Sequence, residues 1–268
     1  MNFWKMHGLG NDYIVMDNRG GMINDMGELA KRLCRRRYSV GADGLLLVYE
    51  SEKAHIRMRI INADGSEAEM CGNGIRCFAI YCYLNGIVED REMDIETRGG
   101  LKKVWLEPDT GSVKVNMGSP SWDRKDIPVR GDGDYVNRIL RVGEDEYEVT
   151  CLSLGNPHCV LFVEDVDNFP VLDIGPRIET HEMFPKRINV IFAQVLGKNT
   201  LKLRVWERGV GETQACGTGA CAAVAASGME GNVTVRLPGG ELVIENGKEI
   251  FMTGPAEKVF EGRLPEVI

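Results

Sequence analysis

The segment ERGVGETQACGTG, residues 207–219, decides the fold of this chain, because its cysteine opens a turn of small residues that leads into an alanine-rich stretch. A second segment, NADGSEAEMCGNG at residues 62–74, has the same layout. In both, a glutamate lies four residues before the cysteine and a Cys-Gly-x-Gly turn follows. The two cysteines, Cys71 and Cys216, are 145 positions apart. This repetition indicates two copies of one fold unit.

Other residues repeat at the same separation. Asn11 and Asn156 lie 145 positions apart, and so do Gly86 and Gly231. Because 145 is slightly more than half of the 268 residues, the second copy is shorter than the first. Chain length alone also favours about two domains, at roughly 150 residues per domain.

Apolar runs and alternating apolar and polar residues, separated by glycine-containing turns, predict short strands in both copies. One helix is predicted after each duplicated cysteine, ending near Gly86 and near Gly231, where glycine can adopt the left-handed cap conformation. The predicted fold class is α+β, with two pseudo-symmetric halves that each wrap a mostly antiparallel sheet around a central helix. The halves are predicted at residues 1–117, which a C-terminal strand at 261–268 could complete, and at residues 118–260.

Composition restricts the class of protein. A chain that is 43% hydrophobic and 27% charged is typical of a globular protein, and a net charge of −8 argues against a nucleic acid or an anionic membrane as partner. No signal peptide and no apolar run of about 18 residues is present, so we predict a cytoplasmic protein without a membrane partner. The eight cysteines lack Cys-x-x-Cys spacing and are interpreted as reduced thiols. No metal-ligand cluster and no nucleotide-binding glycine motif occurs, so no metal and no cofactor is predicted.

The position of the two duplicated cysteines suits acid/base chemistry. A helix N-terminus offers unpaired N–H groups and a partial positive charge, which lower a cysteine pKa from about 8.5 toward neutrality. Two such thiols, Cys71 and Cys216, facing each other across one cleft would serve a two-base reaction, in which one group removes a proton and the other returns one. Glycines in both turns would let a substrate carboxylate approach the backbone N–H groups. These are Gly72, Gly74, Gly217 and Gly219.

A single Cys-Gly-x-Gly turn is more commonly a structural helix start, and duplication alone could preserve such a loop. The remaining cysteines lie in apolar periodic segments and are predicted to be core residues. They are Cys34, Cys77, Cys82, Cys151, Cys159 and Cys221.

The two copies differ where an asymmetric substrate would require it. The aligned pairs that differ are Tyr13 and His158, Gly44 and Asn189, Asn62 and Glu207, and Ala63 and Arg208. Arg208 is interpreted as a clamp for a carboxylate, and a surface ion pair is the alternative. For His158, an ordinary hydrogen-bonded loop histidine is an equal alternative.

Together these motifs closely resemble those of the diaminopimelate epimerases, cofactor-independent amino-acid epimerases of lysine and cell-wall biosynthesis. The matching motifs are KMHGLGND at 5–12, NADGS at 62–66, CGNG at 71–74, GNPH at 155–158, ERG at 207–209 and CGTG at 216–219. The resemblance spans nearly the whole chain and implies a homodimer that acts on the small molecule diaminopimelate.

The resemblance also implies roles for individual residues. Cys71 and Cys216 would be the acid/base pair, and His158 and Glu207 would tune the pKa values of their thiols. The backbone at Gly72, Asn73, Gly217 and Thr218 would hold the reacting carboxylate. The substrate pocket would be lined by Asn11, Asn62, Asn156, Asn189, Glu207 and Arg208. Some members carry glutamine where this chain has Gly44, so water or backbone would have to replace that side chain.

Two alternatives remain open at this point. Another cysteine-pair racemase, such as a proline racemase, would share the scaffold and the proton chemistry but bind a smaller substrate. A thiol redox or binding protein would also explain paired cysteines, although such pairs are usually close in sequence.

Overall fold

The computed structural model describes residues 1–107 and 109–265. The chain forms two compact units. Unit 1 comprises Met1–Asn116 and the segment that begins at Thr253, and unit 2 comprises Met117–Met252. Residues 253–260, which the sequence assigned to the second half, thus belong to unit 1.

The segment after Thr253 belongs to unit 1 because it supplies a strand to that unit's sheet. The strand β18 (Glu257–Arg263) pairs antiparallel with the first strand, β1 (Asn2–Gly8), with Asn2 opposite Arg263. The C-terminal strand predicted at 261–268 therefore begins earlier, and its last three positions, 266–268, lie outside the described residues.

Unit 1 contains two helices among short strands. After β1 its elements are β2 (Asn11–Asp17), α1 (Met26–Leu33), β3 (Gly44–Tyr49), β4 (Ile56–Asn62), β5 (Glu67–Ala68), α2 (Gly72–Leu84), β6 (Glu92–Thr97), β7 (Gly100–Glu107) and β8 (Ser112–Gly118). Pairing is antiparallel for β1 with β2, β3 with β4, β4 with β5, β6 with β7 and β7 with β8. It is parallel for β2 with β3 and β4 with β6.

Unit 2 repeats this order. Its elements are β9 (Arg138–Val142), β10 (Asp145–Ser153), β11 (Pro157–Phe162), α3 (Val171–Glu179), β12 (Asn189–Gly197), β13 (Thr200–Glu207), β14 (Gly211–Thr213), α4 (Gly217–Ser227), β15 (Gly231–Leu237) and β16 (Gly240–Asn246), and β17 (Ile250–Pro255) leads back to unit 1. The parallel pairs, β11 with β12 and β13 with β15, correspond to those of unit 1. Pairing is antiparallel for β9 with β10, β10 with β11, β12 with β13, β13 with β14 and β15 with β16, which confirms the predicted α+β class with mostly antiparallel sheets.

Each unit has one central helix. In α2, ten of thirteen residues are buried, and the helix packs against β1, β2, β3, β4 and β7. The helix α4 packs in the same way against β10, β11, β12, β13 and β16. Because strands surround them, most residues of both helices are apolar and buried, as expected for helices inside a core.

The predicted ends of these helices are right for α2 and wrong for α4. Gly86 has a φ of 64° directly after the cap residue Asn85. In the second copy the left-handed cap is Gly228, with a φ of 68°, and Gly231 instead begins β15. The helix ends there because Gly228 is the first residue that can take this conformation without a Cβ penalty.

A bidentate ion pair braces the strand pair before each duplicated cysteine. In unit 1, Arg59 Nε and Nη2 donate to Glu67 Oε1 and Oε2, both at 2.8 Å. In unit 2, Arg204 donates to Glu212 through the same atoms at 2.6 and 3.1 Å. The two pairs are again 145 positions apart, so the duplication preserves this contact as well as the chain path.

Within residues 1–107 and 109–265, no helix has the length and hydropathy of a membrane span.

Candidate active site

Each duplicated cysteine is the N-cap residue of its unit's central helix. Cys71 has extended backbone, and its Sγ accepts from the N–H of Gly74 at 3.4 Å. Cys216 does the same, accepting from the N–H of Gly219 at 3.4 Å. A sulfur at this position occupies the site of an N-cap oxygen, where the helix dipole favours negative charge. Both thiols therefore lie where a thiolate is stabilised.

Four of the other cysteines lie in surroundings that disfavour a thiolate. Burial raises the pKa of the Cys34 and Cys77 thiols to about 12. Burial also raises the pKa values of Cys82 and Cys151. These side chains are fully or almost fully buried, so they act as apolar core residues and remain protonated at neutral pH.

The second glycine of each turn has a packing role. A Cβ at Gly74 would lie 3.2 Å from Leu46 Cδ2 of β3, and one at Gly219 would lie 2.8 Å from Ile191 Cδ1 of β12. The helix start can approach the strand beneath it only because these positions lack a side chain. Gly74 and Gly219 therefore fix where the cysteine lies, whatever they contribute to substrate binding.

In unit 1, polar side chains surround Cys71. Asn11 Oδ1 lies 3.6 Å from Cys71 Sγ and accepts from Asn73 Nδ2 at 3.3 Å. The hydroxyl of Tyr13 lies 3.0 Å from Cys71 Sγ and 2.8 Å from Asn11 Oδ1. Asp43 accepts from Asn11 Nδ2 at 2.8 Å, which fixes the orientation of the amide. The structure thus brings three of the predicted residues together, Cys71, Asn11 and Asn73, and adds Tyr13 and Asp43.

Asn62, also predicted to line the pocket, belongs to the same row of the sheet but makes different contacts. Tyr13 is paired with Gly44 across β2 and β3, and Gly44 with Asn62 across β3 and β4. Residues paired in this way project from the same face of a sheet. Asn62 is exposed, and its Nδ2 donates to Ser66 Oγ at 3.0 Å. Asn62 is thus the exposed end of a row whose other two members, Tyr13 and Gly44, are buried.

In unit 2, the corresponding cluster forms around Asn156. Its Nδ2 donates to Thr218 Oγ1 at 3.2 Å, and its Oδ1 lies 2.9 Å from His158 Nε2. Thr218 Oγ1 is also 3.5 Å from Cys216 Sγ. Because the Asn156 amide presents its oxygen to the ring, His158 donates from Nε2 in this arrangement. Hydrogen bonds thus link His158 to Cys216 through Asn156 and Thr218.

The electrostatic state of His158 is unusual. The side chain is fully buried, and burial together with the charge of Arg208 lowers its pKa to about 3. The ring is therefore neutral at physiological pH. Its Nδ1 has no hydrogen-bond partner among residues 1–107 and 109–265, so the buried imidazole retains one unused acceptor.

Asn189 links this cluster to the loop that carries Glu207 and Arg208. Asn189 is buried, and its Oδ1 accepts from the backbone N–H of Arg208 at 2.9 Å. Glu207 Oε1 accepts from Thr213 Oγ1 at 2.6 Å. The guanidinium of Arg208 is exposed, with Nη1 3.4 Å from the carbonyl oxygen of Lys186. The backbone at Arg208 is therefore anchored, while its charged end reaches the surface of unit 2.

One residue that holds this loop was not predicted from the sequence. Glu179, at the end of α3, is only 5% exposed. Its Oε1 accepts from the N–H of Gly209 at 2.9 Å and its Oε2 from Trp206 Nε1 at 2.7 Å. From the sequence, an acidic residue at the end of an amphipathic helix is predicted to be exposed to solvent. Only the tertiary packing identifies this contact.

The described part of the chain contains no group of three or more His, Cys, Asp or Glu side chains that could hold a metal ion. The same kinds of group, thiol, asparagine amide and helix N–H, recur in both units.

Comparison with known proteins agrees with these motifs. The family model for diaminopimelate epimerase matches residues 3–122 and 150–259. A diaminopimelate epimerase from Moorella thermoacetica is 50% identical and one from Acetivibrio thermocellus is 46% identical, with at least 98% of each chain covered. A probable proline racemase from Agrobacterium radiobacter shares the fold, with a TM-score of 0.72 at 13% identity over 99% of this chain and 93% of that one. By identity and coverage, this chain belongs to the diaminopimelate epimerase family of isomerases.

Proposed function

We propose that this enzyme interconverts LL- and meso-diaminopimelate, with Cys71 and Cys216 as the two acid/base residues. The observation that supports the pair of cysteines is the thiol-capped helix start, which occurs with the same 3.4 Å N–H to Sγ distance in both units. The substrate is taken from the names of the relatives. The redox alternative lacks comparable support, because the matching relatives are epimerases.

In the proposed reaction one cysteine begins as a thiolate and the other as a thiol. The thiolate takes the α-proton, so the carbon–hydrogen bond breaks, a sulfur–hydrogen bond forms and the electron pair stays on the substrate. The other thiol then donates its proton to the opposite face of the same carbon. The enzyme ends with the two protonation states exchanged, and the reverse reaction restores them.

The negative charge that develops on the substrate requires donors already in place. The first N–H groups of an α-helix lack intrahelical partners, and we assign those of Gly72, Asn73, Gly217 and Thr218 to the reacting carboxylate. Such preorganised donors are the largest single contribution in many enzymes that stabilise an anionic transition state. No cofactor is required to hold the electron pair.

Recognition of the rest of the substrate is assigned to polar side chains. Arg208 suits a distal carboxylate, because its exposed guanidinium can make a bidentate contact. Since His158 is neutral, it and Glu207 would tune the thiols through hydrogen bonds and the carboxylate charge. The remaining pocket residues in this proposal are Asn11, Asn62, Asn156 and Asn189.

The reaction can be tested with unlabelled LL-diaminopimelate in deuterated water. Because thiol protons exchange readily with solvent, the donating thiol carries deuterium. We expect deuterium to appear first in the meso product, while recovered LL substrate stays largely unlabelled. Early, equal labelling of both pools would contradict one base per face.

Single variants test the assignment of the thiols. Cys71→Ala and Cys216→Ala should each abolish epimerisation, because each direction needs both an acceptor and a donor. Cys221→Ala, which changes a buried thiol of the same helix as Gly217, is the matched control and should keep activity. Robust epimerisation by Cys71→Ala would refute the two-thiol reaction.

We further propose that the enzyme acts as a cytoplasmic homodimer, as the family resemblance implies. Light scattering after size-exclusion chromatography should give twice the mass of the 29.8 kDa chain. A monomeric mass with full activity would refute the dimer. Cell fractionation would test the location separately.

A further inference from the structure

The hydroxyl of Tyr13 lies between two polar atoms of the unit 1 cluster. Its oxygen is 3.0 Å from Cys71 Sγ and 2.8 Å from Asn11 Oδ1. The side chain is 5% exposed, and burial raises the pKa of the phenol well above its ordinary value. Tyr13 therefore keeps its single proton across the pH range of catalysis.

The Asn11 oxygen is a fixed acceptor. Asn11 Nδ2 donates to Asp43 Oδ2 at 2.8 Å, so Oδ1 must face Tyr13. Asp43 is held in turn by Arg36 Nη2 at 2.9 Å and by the N–H of Asp12 at 3.0 Å. The amide cannot turn without breaking this network, so it offers Tyr13 an acceptor at all times.

One phenolic proton can serve only one of these two partners at a time. When Cys71 is a thiolate, the sulfur only accepts, and the Tyr13 hydroxyl donates to it. When Cys71 is a thiol, its S–H can donate to the Tyr13 oxygen, and the hydroxyl donates to Asn11. Only the hydroxyl hydrogen rotates between the two states, and the phenol gains or loses no proton.

The backbone around Tyr13 leaves space for the phenol ring. A Cβ at Gly44, which is paired with Tyr13 across β2 and β3, would lie 2.7 Å from the carbonyl oxygen of Ile61 and 3.5 Å from Tyr13 Cε1. A Cβ at Gly74 would lie 3.4 Å from Tyr13 Cζ. The ring thus packs between two positions that lack side chains.

The corresponding position in unit 2 is occupied by different chemistry. His158 also reaches the oxygen of its asparagine, Asn156, at 2.9 Å. The two halves therefore share an amide acceptor but pair it with a phenol in one case and an imidazole in the other. This difference makes the polar environment of the two helix starts unequal.

We propose that Tyr13 is a positioning residue for Cys71, whose rotating hydroxyl stabilises both the thiolate and the thiol of that cysteine. This role rests on the proposed function of Cys71, which must act as a base in one direction and as an acid in the other. A fixed donor would stabilise only the thiolate, and a fixed acceptor only the thiol. A hydroxyl with a second acceptor beside it serves both.

A test of this role must leave the other charged and titratable side chains near Tyr13 and Cys71 unchanged. The titratable and charged side chains that act on Tyr13 or on the neighbouring thiols are Asp43, before β3, and Arg76 and Cys77 of α2. Tyr13→Phe removes only the hydroxyl and leaves all three in place. The matched control is Tyr49→Phe, because the Tyr49 hydroxyl is also partly buried in unit 1 and lies 3.0 Å from a sulfur, that of Met26.

The experiment measures the rate of Cys71 alkylation by iodoacetamide against pH, in the full-length enzyme without substrate, with peptide mapping to isolate Cys71. The hydrogen bond to the charged thiolate is stronger than the one from the neutral thiol. Loss of the hydroxyl should therefore raise the apparent pKa of Cys71 by roughly one unit and slow alkylation at neutral pH about tenfold. The acid limb of kcat/KM should move in the same direction. Tyr49→Phe should leave both profiles unchanged.

A second variant keeps the proposal testable if Tyr13→Phe does not fold. Incorporation of 3-fluorotyrosine at position 13 preserves the ring shape and makes the hydroxyl a stronger donor, so the apparent pKa of Cys71 should fall. If removal of the hydroxyl and its fluorination both leave the Cys71 profile unchanged, the role of Tyr13 is refuted. If the profile shifts but Cys71→Ala still epimerises, the contact stands and the two-thiol reaction fails, so the two proposals are separable.

Discussion

The buried carboxylate of Glu179 should control the stability of the loop that carries Arg208. Its Oε1 accepts from Gly209 N–H at 2.9 Å and lies 3.4 Å from Arg187 Nη1, and its Oε2 accepts from Trp206 Nε1 at 2.7 Å. In Glu179→Gln, one of these acceptors becomes an NH₂ group that faces a donor. One hydrogen bond and the ion pair with Arg187 are therefore lost, and a partly buried N–H is left opposite another donor.

The expected loss of stability follows from the kind of contact that is removed. Loss of a hydrogen bond to a charged group, with the donor left partly buried, costs about 2 to 3 kcal/mol. At about 2 to 4 °C per kcal/mol for large domains, the Tm should fall by roughly 4 to 12 °C. Because the loop positions Arg208, we also expect KM for diaminopimelate to rise more than kcat falls.

Differential scanning calorimetry and steady-state kinetics measure both effects. The control is Glu182→Gln, the same substitution at an exposed position three residues away, which should leave Tm and KM unchanged. A Glu179→Gln enzyme with the Tm and KM of the unsubstituted enzyme would show that the carboxylate does not hold this loop.

Three further predictions concern other contacts. Arg208→Lys should lower kcat/KM roughly tenfold or more, because an ammonium cannot make the bidentate contact of a guanidinium, and near-normal kinetics would make Arg208 a surface residue only. The pKa of His158 is lowered to about 3 from 6.5. The contribution of the neutral ring to the free energy of unfolding is therefore fully present above about pH 6.5 and is lost as the pH falls toward 3. Between pH 7 and pH 5, urea unfolding should show about 2 kcal/mol less loss of stability in His158→Gln than in the unsubstituted enzyme, and equal losses would contradict the neutral, buried state. Gly44→Ala should lower the free energy of unfolding by about 1 to 3 kcal/mol, because its Cβ would lie 2.7 Å from the carbonyl oxygen of Ile61. Gly20→Ala, whose Cβ would lie 4.0 Å from Met22 Cγ, should be nearly neutral in the same assay.

The duplication could be predicted from the sequence because it depends on local signals repeated at a fixed separation. The two central helices follow their cysteines as expected, since each start has a cap residue and a turn of small residues. The end of α4 could not be fixed by that separation. Glycines at 228 and 231 are both compatible with a helix end, and Gly228 comes first along the chain.

Most pairings between strands far apart in the chain could not be predicted from the sequence. The sequence suggested a C-terminal strand for the first half, but the pairing of β18 with β1 joins residues 250 or more positions apart, and no local pattern specifies β1 as the partner. The short strands β5 and β14 were also missed, because two or three residues give no usable periodicity. Their place in the fold depends on the Arg59–Glu67 and Arg204–Glu212 contacts.

For the candidate site, the sequence identified residue types but not their partners. The difference between Tyr13 and His158 was visible from the alignment of the two copies. The 3.0 Å contact from Tyr13 to the thiol depends on how the backbone at Gly44 and Gly74 admits the ring. Glu179 gave no signal, because its burial depends on the packing of α3 against Trp206.

The row formed by Tyr13, Gly44 and Asn62 has a practical consequence for protein engineering. Its immediate neighbours Ile14 and Leu45 project to the opposite face of the sheet and are fully buried. A combinatorial library at the exposed position 62 would therefore change the surface of this row without repacking the core, whereas Tyr13 is itself buried and allows only conservative substitution. Position 44 should stay glycine in such libraries, since any larger residue meets the neighbouring strand's backbone.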